Sequence, residues 1–249
     1  VDHSDSLGAA GRFGQGDVQW MTAGKGVQHS EMFPLINTEE ENPLLLFQIW
    51  LNLPAASKNV APYFGMMWHE DIPIIEEKDD EGHAFSIKLI AGTYQDQNAL
   101  QPAPDSWASN PENGINIWLI SLDAQTEFKL PKGVDGANRS VYFYEGETLH
   151  AEGFDIPVMH QIKADPIQEL TLKNGEQPAK LLLLEGKPMN EPVVQHGPFV
   201  GNSRKDIETA FMNYQQTQFG GWPWPTSEHT HDPDAKRFAL YPDGKKVVR

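Results

Sequence analysis

The stretch GDVQWMTAGKGVQHSEM, residues 16 to 32, sets His29 and Glu31 two positions apart behind Gly24 and Gly26. On a helix, side chains at this spacing diverge; on a strand they share one face, about 7 Å apart along the chain. VQHSEM reads as a strand, so an imidazole and a carboxylate converge. That donor pair suits zinc, iron or manganese, and histidines with one carboxylate and open positions are what non-haem Fe(II) oxygenases use. Two ligands do not close a metal site. Taken by itself the pair reads as a half-buried polar couple before it reads as a metal site, and further ligands must come from elsewhere in the fold.

The chain offers few such partners. EHTHDPD, residues 228 to 234, brings His229 and His231 close to Asp232 and Asp234, but in a proline-rich stretch that reads as a solvated strap with adventitious binding at most. His3 lies on the first strand and reads as a rim or hairpin hydrogen-bonding residue. His196, in VVQHGPFV, reads as a buried histidine that fixes the turn into a following helix. His69 and Glu70, adjacent in WHEDIP, fall on opposite strand faces or in a turn. AGKGVQ lacks the spacing and the Ser or Thr of a phosphate loop, and no G-x-S-x-G elbow is present.

The elements that must position these residues are strands. DVQWMTA, LLLFQIWLNL, HAFSIKLIAG, INIWLISLD, EFKLP, SVYFYEGE, QELTL and AKLLLLEG recur between turn signals, the pattern of an all-β sandwich or barrel. Most of the 21 glycines and 19 prolines fall between them. NSRKDIETAFMNYQQTQFGG is the one convincing helix. Ser203 and Asp206 make a capping-box start, Ile207, Ala210, Phe211 and Tyr214 form an apolar face that should dock on a sheet, and Gly220-Gly221 stops it. The remainder reads as an extended strap.

Composition narrows the function classes. With 19 basic and 35 acidic residues the net charge is −16, and no basic stripe exists for phosphate neutralisation, which argues against direct nucleic-acid binding. The absence of cysteine removes disulfides, thiolate ligands and a cysteine nucleophile, and fits a cytoplasmic setting. The longest apolar run, Leu44 to Trp50, is far too short to span a bilayer, and VDHSDSLGAAGRFGQGD has neither the basic start nor the apolar stretch of a secretory signal.

GDVQWMTAGKGVQHSEM, the later EPVVQHGPFVGN and the tail FGGWPWP together resemble the pirin family of the cupin superfamily. The resemblance implies a bicupin: two β-barrel or jelly-roll domains facing one another, over residues 1–82 and 83–200, with a C-terminal helix and extended tail over 201–249 packing toward the first. It implies Fe(II) or another divalent metal in the first domain, with His29 and Glu31 as ligands and Glu31 as the catalytic base. In that family the other ligand pair is an earlier His-x-His. The opening VDHSDSLG resembles the stretch that follows it, so the resemblance places the first strands of the barrel, and half of the metal site, upstream of Val1. A chain with only this half should hold metal weakly and be inactive. His3 does not match a family ligand, and the second domain, whose ligand-bearing stretches offer only His160, should be metal-free.

The activity implied is that of a quercetin 2,3-dioxygenase, opening a flavonol with dioxygen and releasing carbon monoxide. Trp20 and Met21 would line the barrel or pack in its core. The alternative implied by the family is a non-catalytic regulatory protein that binds a transcription factor or a metabolic enzyme. The net charge of −16 suits a basic partner face as readily as it suits solubility.

Overall fold

The computed structural model describes residues 1–249, which divide into two compact units, each built mainly of strands. The first gathers residues 1–69, 103–106 and 190–249, and the second residues 70–102 and 107–189. The all-β expectation holds, with one long helix.

The first unit opens with β1 (Asp2–Asp5), β2 (Ala10–Arg12), β3 (Val18–Thr22), β4 (His29–Met32) and β5 (Tyr63–Met67). β1 pairs antiparallel with both β2 and β4, while β3 pairs with β5. All four residues of β1 are polar and all are fully buried. Such burial requires partners. Asp5 Oδ1 accepts the backbone N–H groups of Leu7 and Ala9, each at 2.9 Å, which closes the turn into β2. Asp2 is held by Arg12.

The glycines of the β3–β4 connection have separate reasons to be glycine. Gly24 sits at φ +51°, where a Cβ would lie 2.2 Å from the Val60 carbonyl oxygen, and a Cβ on Gly26 would lie 2.4 Å from the Phe219 ring. Close approach of backbone and ring therefore sets the loop that delivers His29.

The second unit contains β6 (Ile74–Lys78), β7 (Ala84–Ala91), the small hairpin β8 (Thr93–Tyr94) and β9 (Gln97–Asn98), β10 (Asn116–Leu122), β11 (Glu127–Leu130), β12 (Asn138–Glu145), β13 (Thr148–Ala151), β14 (Phe154–Pro157), β15 (His160–Ala164), β16 (Leu170–Asn174) and β17 (Ala179–Gly186). A six-stranded sheet in the order β15-β12-β17-β10-β7-β6 and a four-stranded sheet in the order β11-β16-β13-β14 share one core. Along β7, Phe85, Ile87 and Leu89 are buried while Ser86 and Lys88 are not, the period-two pattern of a strand with one face on a core. Phe85 meets Phe128 of β11 at 5.1 Å between ring centroids. Each large side chain sealed between the sheets contributes about 1.5–3 kcal/mol.

The first unit is completed by β18 (Val194–His196), β19 (Phe199–Gly201), α1 (Arg204–Thr217), β20 (Phe238–Leu240) and β21 (Lys246–Val248). Ser203 and Asp206 form the anticipated capping box. The helix docks on the β18–β19 hairpin, with Phe211 edge-on to Phe199 at 4.8 Å. β20 pairs with β2, so the sheet runs β21-β20-β2-β1-β4.

Three expectations change. LLLFQIWLNL was expected as a strand but joins none of the sheets; Leu44, Leu45 and Trp50 are 59%, 65% and 67% exposed. The 82/83 boundary falls inside the β6–β7 hairpin, whose pairing of Ile74 with Lys88 through Lys78 with Ala84 keeps both strands in the second unit. The tail beyond residue 201 belongs to the first unit, and instead of remaining an extended strap it ends in a hairpin whose YPDGKK turn joins two paired strands.

Candidate metal centre

Two His-Ser-acid triplets face each other. His3-Ser4-Asp5 on β1 and His29-Ser30-Glu31 on β4 run antiparallel, with His3 opposite Glu31 and Asp5 opposite His29. Residues directly opposite in such a ladder project from the same face, so all four chemically active side chains share one patch. His29 Nδ1 lies 3.8 Å from Glu31 Oε1, and the His3 and His29 rings are 5.9 Å apart. One donor atom from each of His3, His29 and Glu31 falls within 4.8 Å of the others.

The members differ in exposure. His3 and Asp5 are completely buried, whereas the His29 and Glu31 side chains are 35% and 23% exposed. Burial pushes the His29 pKa below its ordinary value, although Glu31 opposes the shift, and a neutral imidazole keeps its lone pair for a metal. His3 Nε2 is 3.2 Å from Asp5 Oδ2, and its ring stacks on Phe64 at 5.3 Å. Its other nitrogen, Nδ1, is buried without a hydrogen-bond partner.

The tail braces this patch from behind. Trp224 Nε1 donates to the Asp5 carbonyl at 2.8 Å, and the His231 ring nitrogen Nε2 donates to the His3 carbonyl at 3.1 Å. Burial holds His231 below the usual histidine range. His229 stacks on Trp224 at 5.2 Å and packs edge-on to His231. Within EHTHDPD the two histidines are thus packed against Trp224 and Phe238 rather than solvated as expected, while Glu228, Thr230, Asp232, Pro233 and Asp234 stay exposed.

The other sequence candidates lie apart from the patch. His196 is exposed on β18 with its ring against Phe211, rather than buried, because a two-stranded hairpin covers only one side of it. His69 and Glu70 lie in a turn. Trp20 and Met21 are half-buried on β3. In the second unit, His160 is exposed on the edge strand β15 and faces the Val158 carbonyl. A cavity of about 560 Å³ in that unit is lined by Phe85, Tyr94, Glu127, Phe128, His150 and Lys173 among others, and its residues form no group of three metal-donor side chains.

Comparison with known proteins gives the context. Residues 1–51 match the family model described as Pirin, and residues 117–220 the model described as Pirin C-terminal cupin domain. A Pseudomonas aeruginosa protein provisionally named quercetin 2,3-dioxygenase is 35% identical over 216 residues, 86% of this chain and 71% of that protein. A pirin-like protein of Caulobacter vibrioides is 32% identical over 228 residues, 87% of this chain and 72% of its own length. A solved quercetin 2,3-dioxygenase from Acinetobacter baumannii superposes with a TM-score of 0.69 at 27% identity, covering 88% of this chain and 72% of that one.

Proposed function

The chain belongs to the pirin family of cupin proteins, and from that premise we propose that the patch on β1 and β4 serves a metal-dependent dioxygenase that opens flavonol-like substrates. The observation that carries this reading is the placement of His29 and Glu31 on one face of one strand, 3.8 Å apart and partly open. The donor set fits a divalent metal: a neutral imidazole and a carboxylate, next to a buried histidine nitrogen that lacks a partner. His29 and Glu31 would hold Fe(II) or a similar ion. Such an ion, when bound, anchors the flavonol oxygens and offers dioxygen a redox partner.

The chain's own residues supply the rest. Glu31 accepts the proton of the flavonol hydroxyl, because a carboxylate at the open side of the patch is within reach of both ion and substrate. His29 stays neutral and holds its orientation through the strand. β1, buried along its whole length, lies beside the pair in the same sheet and gives it a dry flank.

The test is anaerobic loading with Fe(II), Mn(II), Co(II) or Ni(II), followed by quercetin and dioxygen. A ligand pair alone holds metal weakly, so each ion is supplied in excess; bleaching of the flavonol absorbance with release of one carbon monoxide per flavonol is then expected, together with its loss in Glu31→Gln. Intact flavonol with every metal would overturn the reading. A second reading, a protein-interaction role, is favoured by the exposed apolar run from Leu44 to Trp50. Substitutions in that run should then abolish partner capture while leaving metal content unchanged.

A further inference from the structure

We propose that His3 is a third metal ligand, through Nδ1, with Asp5 as its positioning residue. The chain alone would then carry a two-histidine, one-carboxylate set. The inference rests on the reading of His29 and Glu31 as ligands and extends it to a residue that the family resemblance does not include.

Three observations carry it. The first is register: His3 stands opposite Glu31 on the adjacent strand, and donor atoms of His3, His29 and Glu31 gather within 4.8 Å. Ligand bonds of about 2.0–2.2 Å bring donors on one ion to about 3 Å of each other. The remaining closure falls to His29 and Glu31, the two partly exposed members.

The second observation is the state of the His3 ring. Asp5 Oδ1 is fixed by two backbone N–H groups, so its Oδ2 is held in place to accept from His3 Nε2–H at 3.2 Å. A carboxylate behind a histidine is the usual arrangement for orienting a metal ligand and fixing its tautomer. The proton on Nε2 leaves a lone pair on Nδ1, and that atom is buried with no donor to satisfy it. A histidine serving only as a hydrogen-bond bridge would use both nitrogens.

The third is rigidity. Stacking on Phe64 and the bond from His231 to its carbonyl oxygen hold His3 in place before any ion arrives. The two exposed members then close over an ion seated on a preset one. Three ligands also leave positions open for a substrate oxygen and dioxygen, as the proposed reaction requires.

The experiment uses Cu(II) and Co(II) as probes on the metal-stripped chain. Pulsed electron paramagnetic resonance of the Cu(II) form counts coordinated imidazoles, and Co(II) titration calorimetry gives affinity and stoichiometry. Two imidazoles and one metal per chain are expected. His3→Ala and the bulkier, polar His3→Gln should leave one imidazole, and Asp5→Asn should weaken binding by about 10–100-fold without changing the count. Circular dichroism identifies any variant that does not fold, and the imidazole count of the unmodified protein decides the matter in that case. A single imidazole there, or unchanged affinity in folded His3 variants, overturns the role of His3 while metal loss in His29→Ala and Glu31→Gln upholds the pair. Metal binding that survives His29→Ala and Glu31→Gln, or no binding by the unmodified chain, overturns both.

Discussion

Arg12 grips Asp2 through two parallel hydrogen bonds, Nε to Oδ1 at 2.7 Å and Nη2 to Oδ2 at 2.8 Å, and spends its remaining N–H groups on the carbonyls of His231, Asp232, Pro233 and Ala235. Burial raises the Asp2 pKa, but the Arg12 bonds and the His231 backbone N–H outweigh it and hold the carboxyl below its ordinary range. One guanidinium thus fastens β1 to the tail. Arg12→Ala leaves a buried carboxylate unpaired and should destabilise the first unit by about 3–5 kcal/mol. Urea denaturation checks the size, and limited proteolysis should show earlier cutting near residues 231–235. A loss under about 1 kcal/mol would contradict this account.

Asp79 governs acid sensitivity in the second unit. Its carboxyl accepts the backbone N–H groups of Glu127, His83 and Glu81, and the Glu127 bond is the largest reason its pKa falls to about 2. A carboxylate with a depressed folded-state pKa stabilises fully above its unfolded value of about 3.9, and that stability disappears as pH falls toward the folded value. The chain should therefore lose stability between about pH 4 and pH 2. Asp79→Asn should be less stable at neutral pH and show a flatter profile in that window, measured by urea midpoints at successive pH values.

Ser203 caps α1 by accepting from the Asp206 N–H at 3.3 Å, while Asp206 returns a bond to the Ser203 N–H at 2.8 Å. Ser203→Ala should cost about 1 kcal/mol. The signature is local: faster hydrogen exchange at the first-turn amides, with core strands of the second unit unchanged.

The apolar run that joins no sheet should promote self-association, since Leu45 and Trp50 stand mostly in solvent. Leu45→Lys with Trp50→Lys should raise the monomer fraction in light scattering and reduce fluorescence of a hydrophobic dye. Equal values for variant and parent would show that the run is covered in solution.

Much of the fold was legible in the sequence because strand periodicity is strong wherever two sheets share a core, as along β7 and β10. LLLFQIWLNL misled for a physical reason: a strand is a property of a pair, and apolar composition cannot supply the neighbour. In the site, the shared face of His29 and Glu31 followed from strand spacing. The burial of His3 did not, because Asp-His-Ser-Asp reads as polar and surface-bound until Arg12 and the tail are seen to satisfy it. The signal present was the repetition of His-Ser-acid at residues 3–5 and 29–31, which only the antiparallel register of β1 and β4 converts into a cluster. The hairpin of β20 and β21 was likewise signalled by Pro-Asp-Gly within YPDGKK.

The pairing of β2 with β20 joins residues 10–12 to residues 238–240. On a ribosome adding about 5–20 residues per second, the strand that carries His3 waits on the order of ten seconds or longer for the segment that seals it. Throughout that interval Asp2 and His3 lack the tail contacts that satisfy them, although β2 and β4 have already been made. The second unit, whose segments all emerge earlier, is free to fold meanwhile. Holdase chaperones should therefore engage the nascent chain through its first seventy or so residues and release it only when the C-terminal hairpin has been made.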